Sequence, residues 1–179
     1  SIMITLRKYI ELEDKSEIDF LIKYSGLFNM PVDTIGIGDL TERTFGEVKD
    51  LQYEIDKGLS FYEALKWFEK FNPEILKTIR IDKACQSFRY LVKEISRINE
   101  VEKELLSGAV KAEYIEAGIE ELNQLGVYLQ IRQIAITLHY SIEQVKAMPY
   151  NDALLELITQ KRISDFESRL QENRMRKAK

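Results

Sequence analysis

Apolar residues recur at helical spacing along much of the chain, three prolines and eight glycines are few, and straight-chain helix formers dominate. The pattern predicts an all-α protein. Near the start, Leu6, Tyr9 and Ile10 follow a capping Thr5, and Ile18, Leu21 and Ile22 follow Ser16. Pro31 suits the first turn of a short helix carrying Val32 and Ile35. Gly36 and Gly38 then break the chain. Thr44 with Glu47 forms a capping box ahead of Phe45, Val48, Leu51, Tyr53 and Ile55, and Lys57-Gly58 is its stop. Ser60 with Glu63 forms a second box, opening the aromatic helix FYEALKWFEKF over 61–71.

Asn72-Pro73 is the sharpest punctuation, and it predicts a division into an N-terminal helical unit, 1–71, and a C-terminal bundle, 72–179. Past it the elements lengthen. From about Asp82 to Leu106 there is neither Gly nor Pro, and Phe88, Leu91, Val92, Ile95, Ile98, Val101, Leu105 and Leu106 make one stripe. Ser107-Gly108 turns the chain into a helix over Ala109–Leu125, expected to run antiparallel to the long one. Gly126 leads into Val127–Leu138. Ser141 with Gln144 caps a short helix, Pro149 ends it, and a last helix runs from about Asn151 to Arg174. Beyond about Phe166 that helix is expected to lack an apolar stripe and to fray unless a partner holds it. FNMPVDTI (28–35) and LHYSIEQV (138–145) share one pattern, which suggests an internal repeat.

Composition narrows the class. Of 179 residues, 45% are hydrophobic and 31% charged, a globular balance. No apolar run approaches a membrane span, and SIMITLRKYIELEDK becomes charged too early for a signal peptide, so no membrane partner is expected. A single Cys, Cys85, excludes an internal disulfide and fits a reducing compartment. The net charge of −4 argues against nucleic acid as the main partner. That charge is unevenly placed: Lys161–Lys179 holds seven bases against three acids, leaving an acidic body at −8. Such a basic end is commonly a solvated terminus, and it can also dock on an acidic surface or on nucleic acid.

No catalytic constellation is present. His139, the only His, has neither nucleophile nor orienting carboxylate at a meaningful spacing. Cys85 has Lys83 and Arg89 on nearby turns but is expected to be a small packed residue. One His and one Cys cannot build the usual zinc site, and Gly36-Ile37-Gly38 lacks the rest of a phosphate cradle. The chain is therefore read as non-enzymatic, with no cofactor and no metal.

Two segments carry the candidate interaction chemistry. The aromatics Phe61, Trp67, Phe68 and Phe71 are dense, and they suit either a core helix or a patch buried against a partner. At the other end, Pro149 and Tyr150 bend the chain into the last helix, which offers Phe166, Arg169 and Arg174. The stretch 131–148 also has the apolar frame of a helix-turn-helix, with His139 where Gly usually stands. Its would-be recognition helix offers only Glu143, Gln144 and Lys146.

Taken whole, the chain resembles the small helical proteins of tailed bacteriophages encoded among tail and virion genes, tail-assembly chaperones included. The resemblance rests on the opening ITLRKYIELED, on the Thr-Phe-x-x-Val-x-x-Leu helix TFGEVKDL (44–51), and on EAGIEELNQLGVYLQIRQIAITLHYSIEQVKAMPYNDALLELITQKR. It implies a structural or assembly role exercised through protein surfaces, in the host cytoplasm during assembly or in the virion. The partners would be other phage structural proteins, or a second copy of this chain as a homo-oligomer. The alternative is a DNA-binding regulator or packaging protein using residues 131–148.

Overall fold

The computed structural model describes residue 11 and residues 37–74, 78–107 and 125–177. The protein is all-α, and no strand occurs among the described residues. A 3-10 turn, Leu40–Glu42, precedes α1 (Phe45–Asp56) and α2 (Phe61–Phe71). The long α3 (Ile81–Leu106), then α4 (Gly126–Leu138), the short α5 (Ile142–Ala147) and α6 (Tyr150–Lys177) complete the described elements. The expected helices before Gly36, the helix over Ala109–Leu125 with its antiparallel course, and the 28–35 half of the repeat lie outside the described residues.

Two compact units divide the chain, Ser1–Leu40 with Leu51–Arg97 and Thr41–Asp50 with Ile98–Lys179. The boundaries fall inside the 3-10 turn, α1 and α3, and Asn72-Pro73 lies within the first unit. Each of those helices thus gives part of its length to each unit.

Local chemistry sets the helix ends. Ser60 and Glu63 form the capping box at α2, with the Glu63 carboxylate accepting the Ser60 backbone N–H at 2.9 Å. Those hydrogen bonds hold the Glu63 carboxyl below its ordinary pKa. At the end of α1, Gly58 adopts φ +86°, which a side chain would strain. Its N–H donates to the Ile55 carbonyl and that of Leu59 to the Glu54 carbonyl, the paired bonds of a Schellman motif.

In the first unit, Trp67, Phe68 and Phe71 are all buried, as are Ile81, Leu91 and Ile95 of α3. Phe61 is half-buried and packs edge-on against Phe88 at 5.9 Å. The side of α2 that carries Ala64, Leu65, Trp67, Phe68 and Phe71 is therefore core, while Tyr62 is exposed. Trp67 keeps a polar handle: its indole N–H donates to Glu54 at 2.8 Å, and Lys66 donates to the same carboxylate at 3.0 Å. Along α1 the apolar pattern was only partly predictive. Phe45, Val48 and Leu51 are buried, but Tyr53 is exposed, and Lys49 and Gln52 are buried in place of the expected apolar residues.

Glu54 links this unit to pH. Burial raises its pKa, but the bonds from Trp67 and Lys66 outweigh it and the net shift is downward from 4.5. A carboxylate depressed in the folded state contributes stability above its unfolded pKa and loses it as pH falls through the folded value. Trp67, the only tryptophan, reports directly on this pair. In an acid titration its emission should change with a midpoint below 4.5, and Glu54→Gln should remove that step.

Candidate functional site: the clasp and outer face of the last helix

The second unit is built around the entry into α6. Pro149 has no N–H to continue α5, and it supplies the carbonyl that starts α6, accepting the N–H of Asp152 at 3.1 Å and of Ala153 at 3.2 Å. The Met148–Tyr150 step lies antiparallel to Arg43–Phe45, with Thr44 bridged to Pro149. The Phe45 N–H donates to the Met148 carbonyl at 2.8 Å, and the Tyr150 N–H donates to the Arg43 carbonyl at 2.9 Å. These bonds satisfy donors that helix starts would otherwise leave unpaired. Thr44 also caps α1, its Oγ1 accepting the Glu47 N–H at 3.3 Å.

A polar cluster lies beside this clasp. The Glu102 carboxylate accepts from Lys49 Nζ at 2.6 Å and from the Tyr150 hydroxyl at 2.7 Å. Lys49 is 2% exposed and Tyr150 2%. Burial pushes the Lys49 ammonium below its ordinary pKa, while Glu102 draws it back up. The Phe45 and Tyr150 rings stack at 6.3 Å, and Lys49 Nζ stands 5.3 Å from the Phe45 centroid. Gly46 completes the seat. A Cβ there would meet the Lys146 Cβ at 2.9 Å and its carbonyl oxygen at 3.0 Å, so only glycine lets α1 and α5 approach this closely.

The clasp sets which face of α6 looks outward. Tyr150, Ala153 and Leu157 are its buried residues, and none after Leu157 is buried. Leu155, Ile163, Phe166 and Leu170 are exposed, at 63%, 53%, 59% and 39%. At 3.6 residues per turn these four share one side, nearly opposite the buried three. The stripe therefore runs past Phe166 to Leu170, further than expected. Arg169 and Arg174 are exposed and flank it on opposite sides. Of the sequence-predicted partner residues, Phe166, Arg169 and Arg174 gather on this helix. Pro149 is exposed at its start, whereas Tyr150 is an interior anchor. Phe61, Trp67, Phe68 and Phe71 belong to the first unit, where the last three are interior. Sequence reasoning missed Lys49 and Glu102. They are 53 residues apart, and nothing in the local pattern of either marks the pairing.

Other sites offer less. The thiol of Cys85 is pushed up to about 12 by burial and by Asp82, so it stays protonated. An open cleft of about 320 Å³ is lined by Glu54, Lys57, Gly58, Leu59, Glu63 and Lys66. Its Glu54 and Lys66 bind each other, and Glu63 is engaged in the α2 cap. Among the described residues no group of His, Cys, Asp or Glu is placed to hold a metal, and no helix is long and apolar enough to cross a membrane. His139 takes the left-handed conformation, φ 55° and ψ 39°, between α4 and α5. It is exposed there, and the Tyr140 N–H donates to the Ala135 carbonyl at 3.0 Å. The chain matches no protein-family model, no curated protein and no solved structure.

Three substitutions test the clasp. Lys49→Met leaves the Glu102 charge without its ion-pair partner and should destabilise by about 3–5 kcal/mol. Tyr150→Phe removes one charge-assisted bond and should cost about 1.5–3 kcal/mol. Gly46→Ala forces α1 from α5 and should cost about 1–3 kcal/mol, although alanine is the better helix former. Urea unfolding at unchanged m-value measures all three.

Proposed function

We propose that the chain is a non-enzymatic structural or assembly protein of a tailed bacteriophage, acting through the outer face of α6. The observation that carries this reading is the exposed stripe Leu155, Ile163, Phe166 and Leu170 on a helix clasped at its start and unburied after Leu157. A segment of about 20 residues with no fully buried side chain gains little from tertiary packing and is marginal as a helix in water, and burying an apolar face against a partner offsets that cost. The likeness of ITLRKYIELED, TFGEVKDL and the 116–162 segment to phage tail and virion proteins supplies the biological setting, the host cytoplasm during assembly or the particle itself. A protonated, buried Cys85 and an exposed His139 at a helix end suit a protein that works by contact rather than catalysis.

A second reading, DNA binding through 131–148, draws on the left-handed His139 between α4 and α5. Against it, α5 has only six residues, its Lys146 Cβ and carbonyl lie against Gly46, and the Lys146 ammonium leans toward Asp50 at 3.9 Å. Exposed Glu143 and Gln144 remain, which offer little to a phosphate backbone.

Co-sedimentation with purified tail, neck and capsid components of the phage that encodes the chain tests the proposal. The wild-type protein should pellet with one component. Phe166→Glu should remain in the supernatant while its far-UV circular dichroism stays close to wild type, since that ring is already exposed. A wild-type protein that pellets with none of them contradicts the assembly role.

A further inference from the structure

We propose that the outer face of α6 pairs antiparallel with the same helix of a second copy, about a two-fold axis passing between Ile163 and Phe166. This rests on the functional reading above and names the occupant of that face. The spacing comes first. Leu155, Thr159, Ile163, Phe166, Leu170 and Asn173 give one residue per turn on one side, the repeat of a straight α-helix. Thr159 does not interrupt the stripe, because its hydroxyl donates to the Leu155 carbonyl at 2.9 Å and is satisfied within the helix.

Charge chooses the orientation. The first turns of α6 carry Asp152 and Glu156 and no base, and the last turn carries Arg174, Arg176 and Lys177. Parallel pairing would bring the two cationic ends together. Antiparallel pairing sets each cationic end against an acidic start. With Ile163 opposite Phe166 of the second copy, Thr159 falls opposite Leu170, and Glu156 falls within one residue of Arg174. Glu156 and Arg174 are five turns apart, so they lie on the same side of the stripe. A two-fold axis brings like sides together, and the Glu156–Arg174 pair therefore forms twice. Within one helix these two are about 27 Å apart and cannot meet.

The contact is small for a specific interface, so the dimer should be weak, half-formed on the order of 10 μM. Sedimentation equilibrium of the full chain tests this at concentrations from about 1 to 200 μM. The expected result is a shift from the 21.0 kDa monomer toward twice that mass, lost in Phe166→Glu. Glu156→Lys and Arg174→Glu should each weaken the dimer about fivefold or more, and the double variant should restore it. Restoration requires that the two residues meet across copies. A monomer at about 200 μM overturns the pairing. So does a dimer that Phe166→Glu leaves intact, or one that the double variant weakens further. A monomer that still co-sediments with a phage component through Phe166 sinks the self-pairing while leaving the assembly role in place. A dimer that pellets with no component supports the pairing and removes that role.

Discussion

A single carboxylate holds the second unit in register. Glu102, late in α3, accepts from a buried ammonium on α1 and from a buried phenol at the start of α6. Removing a charge from water costs several kcal/mol, and neither partner alone would offset it. Together they do so only in one geometry, which makes the cluster a device for specificity as much as for stability. The backbone bonds of the Arg43–Phe45 and Met148–Tyr150 step fix the same residues a second time. For the Lys49 ammonium, burial outweighs the pairing. Burial lowers its pKa and Glu102 opposes, so the unfolded lysine binds its proton more tightly than the folded one. This group therefore adds stability as pH rises through its folded pKa toward 10.5.

The consequence for α6 is rotational. Once Tyr150 is seated, Ala153 and Leu157 follow it inward at helical spacing, and Leu155, Ile163, Phe166 and Leu170 must face out. A helix whose first turns are buried and whose remaining length holds no fully buried residue is poised to gain order from association. The polarity of its charges, acidic first and basic last, complements its own dipole and also suits an antiparallel mate. One arrangement of side chains thus serves both the isolated helix and the proposed contact.

Much of this was legible in the chain. The boxes at Thr44, Ser60 and Ser141, the Gly58 stop and the Pro149 break are local devices, and each operates within a few residues. The long α3 was legible because nothing in it breaks a helix. What the pattern hid depends on distant partners. Lys49 reads as a surface residue until Glu102 is opposite it, and Gly46 reads as a weak point until Lys146 lies against it. The aromatic density of α2 fits a core and an interface equally well, and the packing of the first unit made it core. The outer stripe of α6 was half legible: Phe166 stood out, but the continuation to Leu170 was obscured by the charges around it.

The central claim is that the clasp, rather than helix propensity, fixes where α6 begins and which way it faces. Native-state hydrogen exchange at the Phe45 and Tyr150 amides tests it most directly. Both donate across the clasp, to Met148 and to Arg43, and both stand at helix starts, where amides ordinarily exchange quickly. These two amides should exchange as slowly as the interior of α4, by global unfolding of their unit. Exchange of both at the rate of a frayed helix end, with α4 still protected, would contradict it.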